Sequence, residues 1–170
     1  VADLRAVEAV VEETRELLAP GTVVVNKSTV PVGTTRMVAE RLHPRGIGAV
    51  SSPEFLREGR AIADFSHPDR IVVGADSDAD VAMVCAAYGV DPATVLRMSP
   101  ESAEMAKYAS NAFLAVKLSY TNSLAQLCHR YGADVADVTA CMGADARIGP
   151  SFLQPGPGWG GSCLPKDTAA

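Results

Sequence analysis

The sequence predicts an α/β fold in which a strand–helix alternation over residues 1–98 gives way to an all-helical stretch over 99–170. Three observations carry that reading. Short β-branched runs recur at 22–26, 46–50, 71–74 and 94–97, with apolar residues at helical spacing between them. After Arg97 the alternation stops, and one uninterrupted helical pattern runs from Pro100 to Gly132. Hydrophobic residues make up 48% of the 170 positions and charged residues 21%, enough apolar material to bury a core and to exclude a disordered chain.

In chain order, Leu4, Val7, Val10, Val11, Leu17 and Leu18 lie at helical spacing up to the break at Pro20-Gly21. The run 22–26 reads as a strand, 34–43 as a helix and 46–50 as a second strand. A helix over 54–62 is expected next, then a strand at 71–74, a helix near 78–88 and a last short strand at 94–97. Strands separated by helices of this length predict a parallel sheet with crossover helices. Ser99-Pro100-Glu101 then supplies a cap, a proline at the first helical position and an acid in the first turn. Met105, Tyr108, Ala112, Val116, Leu124 and Leu127 keep helical spacing along the long helix, and Asp134 can cap a shorter one ending near Gly143. Residues 150–161 hold three prolines and four glycines, too many for a regular element. The boundary between the halves is placed at 98/99, giving domains 1–98 and 99–170.

Composition narrows the function classes. No run approaches the roughly 18 apolar residues of a membrane span, and the amino terminus lacks the pattern of a secretory signal, so a soluble, cytoplasmic protein is expected, with no membrane partner. Fifteen basic residues against 20 acidic ones leave a formal charge of −5 with no lysine or arginine block, which gives no electrostatic reason to bind nucleic acid. The four cysteines form no CxxC pair, and His43, His67 and His129 share no ligand spacing, so no metal site is expected and reduced thiols are the default.

Four stretches could carry chemistry. The glycine-rich run from Pro155 to Gly161 can bring backbone N–H groups close to a phosphate, or can be a flexible linker. Cys163, just after it and near Lys166, is a candidate nucleophile or a small buried hydrophobe. Lys107 and Asn111, four residues apart, project from one helix face and could stabilise an oxyanion, or simply share a solvated side. Glu54 and Glu58 have the same spacing and the same alternative. Finally, 28–35 follows a strand and precedes a helix, where an open α/β sheet binds ligands, though a turn with hydroxyl caps fits equally.

Taken in order, Lys27-Ser28-Thr29-Val30-Pro31-Val32-Gly33, Pro53-Glu54-Phe55-Leu56-Arg57-Glu58-Gly59, Lys107-Tyr108-Ala109-Ser110-Asn111-Ala112-Phe113-Leu114 and Gly160-Gly161-Ser162-Cys163-Leu164-Pro165-Lys166-Asp167 resemble the UDP-glucose/GDP-mannose dehydrogenase family. The resemblance covers nearly the whole chain. It implies that 1–98 is the second part of a Rossmann-like NAD-binding domain and that 99–170 is the helical central domain, with a homodimer formed through the 101–131 helix. No GxGxxG follows a strand and nothing extends past Ala170, so the expectation is an internal fragment, inactive alone.

The resemblance also implies an activity: oxidation of the C6 alcohol of a nucleotide sugar to a carboxylate with two NAD+. UDP-glucose is the favoured substrate, from Phe152 to Trp159, and GDP-mannose the alternative, from Leu164-Pro165. Cys163 would form a thiohemiacetal and then a thioester, Lys107 and Asn111 would stabilise the oxyanions, Asp167 and Thr29 would hold a water, and Glu54 would act as general acid/base. Glu54, Phe55, Leu56, Arg57, Glu58, Lys107, Asn111, Phe152, Leu153, Gln154, Pro155, Gly156 and Gly160 would surround the nucleotide sugar, and Arg147 would reach the one bound by the neighbouring subunit. Thr29, Glu58 and Lys166 would touch NAD. A non-catalytic dimerising or nucleotide-sugar-binding piece is the competing class, and a redox sensor at Cys163 lacks an adjacent resolving thiol.

Overall fold

The computed structural model describes residues 3–170, and its contacts divide the chain into two compact units, 1–107 and 108–170. The division falls inside the longest helix.

The first unit is built on a four-stranded sheet in the order β1-β2-β3-β4, with β1 Val23–Asn26, β2 Gly48–Ser51, β3 Val72–Gly74 and β4 Leu96–Met98. Around it lie α1 (Arg5–Thr14), α2 (Thr34–Leu42), α3 (Ala61–Ser66) and α4 (Asp78–Tyr88). Period-two alternation sorts the strand side chains. Val23 and Val25 of β1 and Val50 of β2 pack with Val81, Val84 and Cys85 of α4, whereas Val24 and Ala49 pack with Val11 of α1 and Val38 and Leu42 of α2. Helices therefore cover both faces, as the β-branched runs require.

The sheet is not all parallel, which corrects the sequence expectation. Strands β1 and β2 pair parallel from Val23↔Gly48 to Asn26↔Ser51, and β3 and β4 pair parallel from Val72↔Leu96 to Gly74↔Met98, but β2 and β3 meet antiparallel at Ser51↔Gly74. The connecting helices explain the difference. The nine residues of α2 and the eleven of α4 return the chain for a parallel crossover, whereas α3 has six residues, about 9 Å at 1.5 Å per residue, and leaves Ile62 and Phe65 exposed.

The helix expected over 54–62 is also absent; only α3 forms there. Two carboxylates take the N–H groups a helix would need: Glu54 Oε2 accepts from Leu56 N at 2.6 Å, and Asp64 Oδ2 from Arg57 N at 2.9 Å. Gly59 sits at φ 77, in the left-handed region, and ends any helical run before Arg60.

The long helix α5, Pro100–Tyr131, forms as the sequence predicts, with Pro100 as its first residue and Ser99 Oγ accepting from Ser102 N at 3.2 Å. In the second unit α6 (Val135–Ala144) is capped by Asp134, whose carboxylate accepts from Ala136 N, and the chain closes in α7 (Cys163–Thr168). No helix of the described residues is long and apolar enough to cross a membrane.

Candidate functional site

In the first unit the candidate residues gather beyond the carboxyl end of β1 and along 52–56. Lys27 Nζ donates to Tyr88 Oη at 3.0 Å, Tyr88 Oη lies 3.3 Å from Ser52 Oγ, and Ser52 Oγ donates to the Val72 carbonyl at 2.9 Å. These groups, with Glu54 and Phe55, border a cavity of about 330 Å³, within the size range of small-molecule sites. The Phe55 ring carries two cations: Arg70 stacks with its guanidinium carbon 3.9 Å from the centroid, and Lys107 Nζ lies 5.1 Å from it. Lys107 is only 6% exposed, so the ring is part of what compensates a buried ammonium. Arg57 and Glu58 are exposed, and Arg57 is committed to Asp64 through its backbone and its guanidinium. Those hydrogen bonds hold the Asp64 carboxyl well below its ordinary value, at about 2.

Thr29 is half-buried in the loop between β1 and α2. The N-terminus of α2, where an anion would be expected to bind, is already filled: Glu104 accepts from Gly33 N at 2.6 Å and from Thr35 N at 2.7 Å. Sequence reasoning did not single out Glu104. The available signal was its place three residues before Lys107 on the buried side of the long helix. Arg70 and Asp64 were missed as well, and no spacing rule marks them.

In the second unit the buried Asn111 donates from Nδ2 to Asp167 Oδ2 at 2.6 Å, and Lys166 Nζ is paired with Asp167 Oδ1. Asn111 and Asp167 are therefore brought together, and Cys163 and Asp167 lie one turn apart on α7, with the Cys163 thiol exposed and 3.6 Å from Ser162 Oγ. The Asn111 amide carries two N–H groups, and the bond to Asp167 uses one of them.

The proline- and glycine-rich loop is not a free linker. Gly156 N donates to Asn122 Oδ1 at 2.8 Å, Trp159 Nε1 to Ser119 Oγ at 2.8 Å, and Lys117 Nζ to the Ile148 carbonyl at 3.1 Å, all on α5 side chains. Leu153 is buried, Gln154, Pro155, Gly156 and Gly160 are exposed, and Phe152 is held at φ 64, a conformation that costs a non-glycine residue of order 1 kcal/mol or more. Arg147 is exposed and turned onto its neighbour Asp145. Among the described residues no group of His, Cys, Asp and Glu could hold a metal ion.

Residues 1–90 match the NAD binding domain of the UDP-glucose/GDP-mannose dehydrogenase family, and residues 101–170 match its central domain. The chain belongs to that family. It is 47% identical to a UDP-glucose 6-dehydrogenase of Rhizobium meliloti, with 99% of this chain and 41% of that protein covered. The UDP-glucose 6-dehydrogenase TuaD of Bacillus subtilis is also 47% identical, over 99% of this chain and 38% of its own length. Among solved structures, a UDP-glucose dehydrogenase from the archaeon Pyrobaculum islandicum superposes with a TM-score of 0.88 at 45% identity, over 98% of this chain and 40% of that one. The chain thus spans about 40% of the length of the family members it matches. Within the family, the two matched domains correspond to the α/β part and the helical part read from the sequence.

Proposed function

We propose that the full-length protein carrying this chain oxidises UDP-glucose to UDP-glucuronate with NAD, through a covalent intermediate on Cys163. The observation that carries the reading is the 2.6 Å hydrogen bond from Asn111 to Asp167, which joins a candidate oxyanion donor to the carboxylate one turn beyond an exposed cysteine. The names of the relatives supply the substrate.

The donor set suits a dinucleotide's polar groups: a half-buried hydroxyl at Thr29 and an exposed carboxylate at Glu58, with Lys166 near the cysteine helix. NAD, when bound, supplies the acceptor for two successive two-electron oxidations. Between them, Cys163 Sγ bonds to C6 of the aldehyde as the C=O π bond opens, and the oxygen takes up the proton lost from sulfur, giving a thiohemiacetal that keeps the aldehyde from leaving. The second oxidation leaves a thioester, water adds to its carbonyl carbon, the C–S bond breaks and the thiolate returns as the carboxylate departs. Lys107 and the Asn111 amide hold the negative oxygen at each tetrahedral stage. Asp167 and Thr29 hold the water, and Glu54 accepts its proton. Residues 54–58 and 152–156 with Gly160 surround the nucleotide sugar.

The same reading makes the protein a cytoplasmic homodimer. Phe113, Val116, Tyr120, Leu127 and Tyr131 leave large apolar surface exposed on α5, which suits a helix-mediated interface, and Arg147 would reach the neighbouring subunit's substrate.

The test is the yield of NADH per sugar nucleotide in the full-length protein. Two NADH per UDP-glucose, lost in Cys163→Ala, is the expected result. Two NADH from GDP-mannose alone would keep the mechanism and reverse the substrate. Uronate formation by the Cys163→Ala variant would overturn the covalent route.

A further inference from the structure

We propose that Glu104 is a positioning residue: its carboxylate fills the anion seat at the N-terminus of α2 and so fixes the 28–33 loop against the turn of α5 that carries Lys107. The inference rests on the reading above, in which Thr29 faces the cofactor and Lys107 the reacting oxygen.

A helix that begins beyond the carboxyl end of a parallel strand offers free N–H groups and the positive end of its dipole, and in open α/β sheets a ligand phosphate often takes them. Helix α2 begins in that place. Its first residues lack a side-chain cap of their own, because the capping position is Gly33, at φ 96. The cap comes instead from 71 residues away, with Glu104 Oε2 accepting from Gly33 N and Oε1 from Thr35 N. Glu104 is 3% exposed. A carboxylate that far from water is costly unless strong donors replace its hydration, and two short N–H bonds at a helix N-terminus do so.

The grip has a second point. One turn earlier on α5, Glu101 accepts from Arg36 Nε at 2.9 Å, and Arg36 also pairs with Asp76. Arg36 holds the Glu101 carboxyl below its ordinary value, so this pair persists through the neutral range. Two acids on adjacent turns of α5 thus hold the first turn of α2. Lys107 is three residues beyond Glu104, on the same side of the helix. The separation between the peptide presenting Thr29 and the Lys107 ammonium is therefore set through Glu104. A protein carboxylate in the seat also keeps a ligand phosphate out of it, so the dinucleotide phosphates must be bound elsewhere.

The experiment uses the full-length protein. Glu104→Ala removes the carboxylate and leaves the two N–H groups facing a cavity of carboxylate size. Turnover is expected to fall about 100-fold, the scale of a small misplacement of reacting groups, with the KM for NAD rising more than that for the sugar nucleotide. Added formate or acetate should restore activity about tenfold, while chloride at equal ionic strength should not. Formate should also raise the melting temperature of Glu104→Ala and leave the wild type unchanged, a readout independent of turnover. Wild-type kinetics in a folded Glu104→Ala variant, or no response to formate in either measurement, would overturn the proposal. If Glu104→Ala does not fold, Glu104→Gln decides: its amide fills the seat but loses one acceptor, so reduced turnover without formate rescue is expected, and unchanged kinetics would overturn it. A wild-type protein that reduces NAD with neither sugar nucleotide would sink the functional reading, while a formate-dependent melting shift would still support the seat.

Discussion

Residues 53–60 and residues 150–161 both lack regular structure and both carry candidate substrate contacts, yet different chemistry holds them. The first loop is fixed by carboxylates: Glu54 on Leu56 N, and Asp64 on Arg57's backbone and guanidinium. The second is fixed by an amide and a hydroxyl on α5, with Asn122 accepting from Gly156 N and Ser119 from Trp159 Nε1. A loop closed by ionised carboxylates responds to acid, and one closed by amide and hydroxyl groups does not. The contrast separates a contact that pH can loosen from one that only substitution can.

The largest effect is expected at the polar pair that anchors the cysteine helix in the second unit. Asn111→Ala leaves the buried Asp167 Oδ2 without its amide, which should cost roughly 2 kcal/mol of stability and, with the proposed oxyanion donor gone, on the order of a hundredfold in kcat. Chemical denaturation and steady-state rates on the full-length protein check the two parts separately.

Next comes the acid response of the first loop. The Asp64 carboxyl is depressed from 3.8 to about 2 in the folded state, so its contribution is complete above about pH 4 and fades as pH falls toward 2. Pepsin offers a direct comparison, because each loop contains a Phe-Leu bond, Phe55-Leu56 and Phe152-Leu153. Cleavage at the first is expected to rise before cleavage at the second as the pH drops through that window. Asp64→Asn should make the first bond labile already at pH 4. Equal cleavage at both bonds across the window would remove the distinction.

The smallest effect belongs to the neutral contacts. Asn122→Ala or Ser119→Ala removes one ordinary hydrogen bond, worth about 1 kcal/mol, and should speed proteolysis within 150–161 with no dependence on pH between 4 and 7.

Much of this architecture was legible in the residues because each element obeys a local rule. The capped start of α5 at Ser99-Pro100, the Asp134 cap of α6 and the strands at 23–26 and 72–74 follow from residue type and spacing alone. What escaped reading was decided over long sequence separations. The antiparallel β2–β3 pairing depends on a connection whose only helix is six residues long. The absent helix over 54–62 reflects the claim of Asp64, seven residues on, upon the Arg57 backbone. Glu104 reaches donors 71 and 69 residues away, and no window of sequence contains both ends of such a bond. The candidate residues divide in the same way: Cys163, Asp167, Lys107 and Asn111 stood in recognisable blocks, whereas Arg70, which shares the Phe55 ring with Lys107, carried no local mark, and Glu104 had only its place one turn before Lys107.

The glycines offer a way to tell architecture from ligand by tolerance to a single methyl group. At Gly74 an added Cβ would lie 2.6 Å from the Ala103 Cβ and 3.0 Å from the Pro100 Cα, so strand and helix touch with room for hydrogen only. At Gly156 and Gly160 nothing lies within 4 Å, and neither has a positive φ, so the fold itself has no need of glycine there. A scan that scores folding and catalysis separately should therefore find alanine rejected on both counts at Gly74. At Gly156 and Gly160 it should be accepted by the first score and judged by the second alone, where any selection for glycine would report a demand of catalysis that the fold does not make.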